Sequence, residues 1–406
     1  MKFDIILKGA TVLDPSQKIN TICDVGIKQG KVAEIKPEIS AELGKKSISL
    51  EGYTLVPGLI DMHCHVYPSF PVEKDGLPTV NGEAHMFQSG VTTCVDAGTC
   101  GIRDFVYFKE RVIDKAKLRI LSFINIANGG MVNLESEQNI NEFKPEAVAA
   151  MINAFPECAV GVKTAHYWVG KPEDEKHPVW ESIDRTLEAG ELCNKPVMVD
   201  FQPNLPKRTY PELLKKLRPG DIHTHVYAQQ FPILDDNGKV NDFLFEARER
   251  KINFDLGHGA GSFWFRNAIP ALKQGFYPDT ISTDLYQDNV VGPVNNLLNI
   301  MSKYLNMGMS VEDIVYHTTV RPAEIVGHPE LGTLKVGSCA DLAVLNVRET
   351  ECGFADSGHA SIKGNHKFEC ILTIRDGEVV YNPNGLGMPC WENAPKEYWT
   401  SPGVII

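Results

Sequence analysis

The stretch Val56-Pro57-Gly58-Leu59-Ile60-Asp61-Met62-His63-Cys64-His65 opens as a continuous apolar run and ends in two histidines separated by one residue. Leu55 to His63 reads as a strand buried on both faces, because its apolar residues follow one another instead of alternating. Side chains two apart on a strand share a face. His63 and His65 therefore leave the strand end on the same side, and Cys64 points the other way. Two imidazoles so placed can offer two nitrogens to a divalent ion, at about 2.0–2.1 Å each for zinc.

Working outward, the text from about Tyr53 onward alternates short apolar strands with helix-length segments, which is the pattern of parallel βα units. Strands are expected at Leu55 to His63, Val91 to Ala97, Ile120 to Ile126, Ala159 to Thr164, Pro196 to Phe201, Asp221 to Tyr227, Asn253 to Gly257 and Thr280 to Asp284. Eight such units close a (β/α)8 TIM barrel, whose active site lies at the C-terminal ends of the strands. Both chain ends read differently. Phe3 to Leu13 alternates, Cys23 to Ile27 and Val32 to Ile35 flank a turn at Lys28-Gln29-Gly30-Lys31, and Cys370 to Ile374 faces Val379 to Tyr381 across Asp376-Gly377. The simplest assembly is a small β-sandwich made of 1–54 and 333–386, a barrel over 55–332, and an irregular tail over 387–406.

Four further strand ends carry residues able to bind a metal or a proton: Lys163, His225, His258 and Asp284. Five coincidences at one height are hard to credit to chance, because lysine and aspartate are seldom buried without partners. The order of His-x-His after strand one, Lys after four, His after six and seven, and Asp after eight resembles the amidohydrolase superfamily. So do Val56 to Asp61 and the run Gly332-Thr333-Leu334 to Ala340-Asp341-Leu342. Asp96-Ala97-Gly98-Thr99, Thr224-His225-Val226-Tyr227 and Gly257 to Phe263 are similar to its dihydroorotase-like branch, which contains deacetylases.

The resemblance implies a metal-dependent hydrolase with two zinc or manganese ions, metal ligands among His63, His65, Lys163, His225, His258 and Asp284, and carbamylated Lys163 as a bridge. It implies a metal-activated hydroxide as nucleophile, with Asp284 as the catalytic residue that takes its proton and passes it to the leaving group. The fifth strand departs from the family pattern, carrying Asp200 where a histidine is usual. Asp200 is either a metal ligand or a group facing the ligands or the substrate, and it enters the candidate ligand set. His223 reads as a packed histidine. Cys100 reads as a free buried thiol, with service as an extra metal ligand as the alternative.

Tyr67 stands where dihydroorotase-type sites carry an arginine for the substrate carboxylate, and Asp284-Leu285-Tyr286-Gln287 lacks the usual Ala-Pro-His. Deacylation of an N-acyl amino acid or O-acyl hydroxy acid is therefore preferred, with cyclic-amide hydrolysis or a non-catalytic scaffold as alternatives. Tyr67, His166, Tyr167, Arg266 and Tyr286 are candidate substrate-binding residues, and Arg103 lies in the same loops. Gly259-Ala260-Gly261-Ser262 could present amides to an anion.

Composition agrees with a small-molecule enzyme. The chain has 406 residues, 43% of them hydrophobic, enough for a large core. A net charge of -12 disfavours nucleic acid and anionic membranes as partners. The charged start and the lack of a long apolar run predict a cytoplasmic protein without a membrane span. Ten cysteines without regular spacing read as reduced thiols. A homo-oligomer is compatible with a barrel of this size, though no residue pattern specifies one.

Overall fold

The computed structural model describes residues 2–68, 76–168, 174–204 and 206–394. Seven parallel strands form one curled sheet in sequential order: Leu59–Cys64, Val91–Gly101, Arg119–Asn125, Ala159–Thr164, Val197–Val199, Ile222–His223 and Asn253–Phe254. The expected eighth strand is an extended segment with two parallel bridges, Asp255 to Thr280 and Cys64 to Leu285, which join the last strand to the first. The amides of Leu256, His258 and Gly259 donate to Thr280, Ser282 and Thr283 on one side, and those of Asp284 and His65 connect to His63 and Leu285 on the other. This segment completes the barrel. Among the helices packed outside it are Pro145–Ala154, Glu181–Cys193, Phe265–Lys273 and Leu297–Asn306.

Side chains take over where the ladder is thin. Asp255 accepts from the hydroxyls of Thr280 and Ser282 at 2.6 Å each and from Thr224 at 2.7 Å. Asp61 accepts from Thr283 Oγ1 at 2.6 Å and from the Thr283 amide at 3.0 Å. These fully buried carboxylates tie strand seven to strand eight and strand eight to strand one. Hydroxyl and amide donors replace the water these groups lose, and at Asp61 burial still outweighs them and pushes the carboxyl up to about 7.

The chain ends build one mixed eight-stranded sheet. Its strand Phe3–Asp14 branches, pairing Gly44–Ser49 along its first half and Thr54–Pro57 beyond. The branch lets a single hydrogen-bonded sheet close on an apolar core that includes Leu7, Val12, Val25, Ile48, Leu55, Leu342 and Leu372, the enclosure expected of a sandwich. The first barrel strand is shorter than its apolar run suggests. Thr54–Pro57 pairs with 342–345 of the small sheet, and the chain changes sheet at Gly58, later than the expected 54/55 boundary. A side chain at Gly58 would meet Thr92 Oγ1 at 2.1 Å, so only glycine lets the chain cross there.

Leu342–Ala355 and Ser361–Arg375 run well past the small sheet as a two-stranded ribbon. Its tip reaches back to the barrel: Asp356 accepts from the Phe265 amide at 3.0 Å, and Ser357 and Phe263 exchange hydrogen bonds. The expected tail is irregular through residue 394, with one short turn at Trp391–Asn393, and residues 395–406 lie outside the described part. No helix among the described residues is long and apolar enough to cross a membrane.

Candidate metal centre

A cavity of about 210 Å³ opens at the C-terminal end of the barrel strands. His63, His65, Lys163, Asp200, His225 and Asp284 form its floor, and Leu77, Met131, His166, Gly261, Ser262 and Tyr286 its walls. A larger hollow, about 750 Å³, includes Arg218, Asp221, Arg248, Asp279 and Arg321, where Arg218 pairs with Asp221 and both Arg248 and Arg321 pair with Asp279.

The hydrogen bonds behind three of the histidines fix their tautomers. Thr224 Oγ1 donates its only proton to Asp255, so at 2.9 Å from His63 Nδ1 it can only accept. Thr99 Oγ1 donates to Asp96, so at 2.7 Å it accepts from His65 Nδ1. His225 Nδ1 donates to the Gly257 carbonyl at 2.7 Å. All three rings therefore keep the proton on Nδ1 and present a bare Nε2 lone pair to the cavity. Burial disfavours the charged forms of His63 and His65, lowering His63 far and His65 to about 3.

The lone pairs face carboxylates. His65 Nε2 lies 2.9 Å and His63 Nε2 3.4 Å from Asp284 Oδ1, and His225 Nε2 lies 3.8 Å from Asp200 Oδ2. Lone pairs opposed at such distances repel unless a proton or a cation lies between them. Ligand atoms of His63, His225 and Asp284 all fall within 4.8 Å of one another. Neutral imidazoles anchored through Nδ1, converging with a carboxylate, are the donor set a divalent ion requires, and the residues fit a metal.

Burial pushes the Asp284 carboxyl up to about 7 against the pull of His225 and Lys163. Burial acts upward on Asp200 too, but His225, His166 and Lys163 outweigh it and hold that carboxyl below the usual range. Lys163 is 1% exposed, its Nζ 3.3 Å from His63 Nε2, and burial lowers its ammonium despite the nearby aspartates. Gly98 makes room for it: a Cβ there would lie 2.4 Å from Lys163 Cβ.

The Amidohydrolase family profile matches residues 265–380. A deacetylase of Enterococcus faecalis is 29% identical over 387 residues, 94% of this chain and 100% of that protein. A dihydroorotase of Citrifermentans bemidjiense is 31% identical over 433 residues, covering 93% of this chain and 99% of its own. The chain belongs to the amidohydrolase superfamily. Among solved structures, an adenine deaminase superposes with a TM-score of 0.82 at 26% identity, over 94% of this chain and 100% of that one. With the His63, His225 and Asp284 cluster, membership makes this chain a metal-dependent hydrolase.

Within this amidohydrolase site His63, His65 and Asp284, which the resemblance places on one metal, lie together, and His225 joins His63 and Asp284 in the candidate cluster whose ligand atoms fall within 4.8 Å of one another. His258 leaves the expected ligand set. Its Nδ1 donates to the Gly259 carbonyl at 2.9 Å, and its Nε2 accepts from Lys303 Nζ at 2.7 Å, so neither nitrogen is available. Gly257 before it is left-handed, with φ 46°, which breaks the strand's alternation and turns the imidazole onto Phe263.

Of the candidate substrate residues, His166 and Tyr286 line the cavity, whereas Tyr67, Tyr167 and Arg266 do not. Tyr67 packs against Phe108, Tyr167 stacks on His177 and donates to the Pro178 carbonyl, and Arg266 is exposed on helix Phe265–Lys273. Arg103 is exposed and pairs with Asp104. Cys100 is buried outside the cavity, and burial pushes its thiol far up, away from the thiolate a metal needs. His223 is packed among Tyr210, Phe231 and Phe254, as read from sequence. In the strand-seven loop the amides of His258 and Gly259 are spent on strand eight, and Gly261 and Ser262 reach the wall.

Sequence reasoning missed the groups that hold these residues. Asp96, Asp255, Thr99 and Thr224 set the histidine tautomers, Glu137 bonds His166 at 2.8 Å, and Lys303 ties His258 to the Pro293 and Ala355 carbonyls. A signal existed for one network: Thr280-Ile281-Ser282-Thr283 carries hydroxyls at alternate positions, where a strand would turn both Thr280 and Ser282 to Asp255.

Proposed function

We propose that this enzyme removes an acyl group, most simply acetyl, from an N-acyl amino acid or O-acyl hydroxy acid. The observation that carries the reading is the set of three Nδ1-protonated histidines with bare Nε2 atoms turned to Asp284 and Asp200. Relatives named deacetylases, 28–29% identical over most of this chain, support the choice of an acyl group. The cavity volume, about 210 Å³, suits a small substrate.

We assign His63, His65, His225, Asp284, Asp200 and Lys163, the last as a carbamate, to hold two zinc or manganese ions. A bound divalent ion supplies Lewis acidity, lowering the pKa of water and polarising the scissile carbonyl. Asp284 holds and moves the proton: its Oδ1 faces both His63 and His65, and a carboxyl displaced toward neutrality both accepts and returns a proton. The backbone of Asp284 is fixed by its amide on the His63 carbonyl and by Asn289 Nδ2 on its own carbonyl at 2.7 Å. Burial makes the neutral amine of Lys163, the form that takes up carbon dioxide, easier to reach.

Cyclic-amide hydrolysis is the second reading, favoured by the dihydroorotase relative. Against it, Tyr67 is turned into the core and leaves no carboxylate clamp at that position. The test is protein loaded with zinc or manganese and bicarbonate, assayed for metal per chain and for acetate release from N-acetyl amino acids and O-acetyl hydroxy acids. Acetate release with close to two ions per chain is expected. Ring opening of dihydroorotate without acetate release would reverse the order of the two readings, and metal near zero would sink both.

A further inference from the structure

We infer that Glu137 and His166 form an anion-binding subsite at the cavity wall, where the His166 imidazolium receives the substrate carboxylate, so that the enzyme selects free acids over their esters or amides. The identity of the reacting group rests on the deacylase reading above; the subsite itself does not.

His166 resembles the metal-facing histidines in one respect and differs in two. Its Nδ1 is also anchored, 2.8 Å from Glu137 Oε2, and its ring lines the same cavity. But the side chains of His63, His65 and His225 are 1%, 4% and 8% exposed, and that of His166 is 35% exposed. It stands where a substrate enters, outside the sealed floor. The anchors also differ in charge. His65 and His225 lean on a hydroxyl and a carbonyl, and the Asp255 carboxylate near His63 is already shared among three hydroxyls. Glu137 is 2% exposed, and its Oε1 accepts from Asn125 Nδ2 at 3.2 Å, which leaves Oε2 to His166. Burial lowers the His166 imidazole, but Glu137 reverses this and raises it to about 9. An imidazolium has no lone pair for a metal, and its Nε2 proton is a charged donor.

The backbone shows that this orientation is maintained against strain. His166 is left-handed, with φ 51°, a costly conformation for a non-glycine residue. Glu137 and Gln138 at the end of helix Leu134–Gln138 grip it twice, through the ring and through the His166 carbonyl, which accepts from Gln138 Nε2 at 3.3 Å. The other basic side chain of the lining, Lys163, is buried against His63. Leu77 and Met131 offer apolar wall for the rest of a small acid.

The test uses the full-length zinc-loaded protein, titrated calorimetrically with N-acetylglycine and N-acetylglycinamide. The acid is expected to bind about tenfold or more tighter, the worth of a charge-assisted hydrogen bond. His166→Gln, and Glu137→Gln, which keeps size and one acceptor oxygen for His166 but removes the charge, should each abolish most of that preference with zinc per chain unchanged. Equal binding of acid and amide, no binding of the acid, or a preference that survives both variants would overturn the subsite. Zinc loss in His166→Gln would also overturn it, making His166 a ligand. Acetate release is scored separately: a charge preference without acetate from any substrate keeps the subsite and sinks the deacylase reading, and acetate from acid and amide alike does the reverse.

Discussion

Gly259→Ala tests whether the strand-seven loop sets the position of Asp284. Gly259 is left-handed, with φ 52°, and an added Cβ would lie 2.4 Å from Asp284 Oδ2. Ordinary contact begins near 3.4 Å, so the carboxylate must retreat by about 1 Å. Oδ1 is now 2.9 Å from His65 Nε2 and 3.4 Å from His63 Nε2, and the retreat carries it away from the cluster. Metal sites tolerate displacements of about 0.2 Å, so metal affinity should fall by about 10–100-fold, the loss that follows when a ligand's support is removed. The left-handed alanine separately costs about 1–2 kcal/mol of stability. Chelator competition reads the first effect and thermal unfolding the second. Gly261→Ala is the control, in the same loop with nothing within 4 Å of its added Cβ, and both readouts should stay near those of the unaltered protein. Unchanged metal affinity in Gly259→Ala, with unfolding at lower temperature, would refute the idea that this glycine positions Asp284.

Three other outcomes follow from the same geometry. Lys303→Met removes a buried amine hydrogen-bonded to His258, Pro293 and Ala355 at 2.7, 2.9 and 2.7 Å, and should cost about 2–4 kcal/mol in urea unfolding near neutral pH. Burial lowers the Lys303 ammonium to about 7, so above that pH and up to the ordinary lysine value the unfolded chain binds one more proton than the folded chain. Its stability should therefore rise with pH by about 1.4 kcal/mol per unit relative to the variant, and parallel pH curves would contradict this. Asp284→Asn keeps the shape but cannot take a proton, and should abolish turnover with the fold retained even at metal concentrations that fill the site; full activity would remove Asp284 as the proton carrier. Asp200→Ala should lower the second ion's occupancy by elemental analysis, and unchanged content would show that Asp200 is not a ligand.

The barrel was legible because its strands carry apolar runs at regular intervals and its site residues fall at their ends. Pattern reading overextended the later strands. Val197–Val199, Ile222–His223 and Asn253–Phe254 are two or three residues long. Their predicted continuations keep isolated backbone bonds, such as the Asp200 amide on Thr164 and the Thr224 amide on Val199, and Asp255 adds side-chain bonds to Thr224, Thr280 and Ser282 that hydropathy does not report. His258 was misassigned for a related reason: parity along a strand assumes extended φ, and Gly257 breaks it one residue earlier. Glu137 had no local signal at all, because only the packing of a five-residue helix brings it to a histidine far along the chain.

Short strands and strained residues have one cause. His166, His225 and Asp284 are all left-handed, with φ of 51°, 63° and 51°, and each costs about 1–3 kcal/mol. Their sum is a large part of the roughly 5–15 kcal/mol by which a domain is stable, so each must be held by groups that cannot relax. An extended ladder carried to these positions would forbid positive φ and direct the side chains alternately in and out. Ending the regular ladder early frees the backbone to turn His225 and Asp284 toward one point, and the buried carboxyls Asp61, Asp96 and Asp255 add bonds to the isolated backbone ones that remain. The ribbon of the small sheet serves the same end from outside, its tip bonding Phe263, Phe265 and, through Ser357, the Gly259 carbonyl. On this argument the small sheet is part of what positions the metal centre, and loosening its tip should be felt at Asp284 through Gly259.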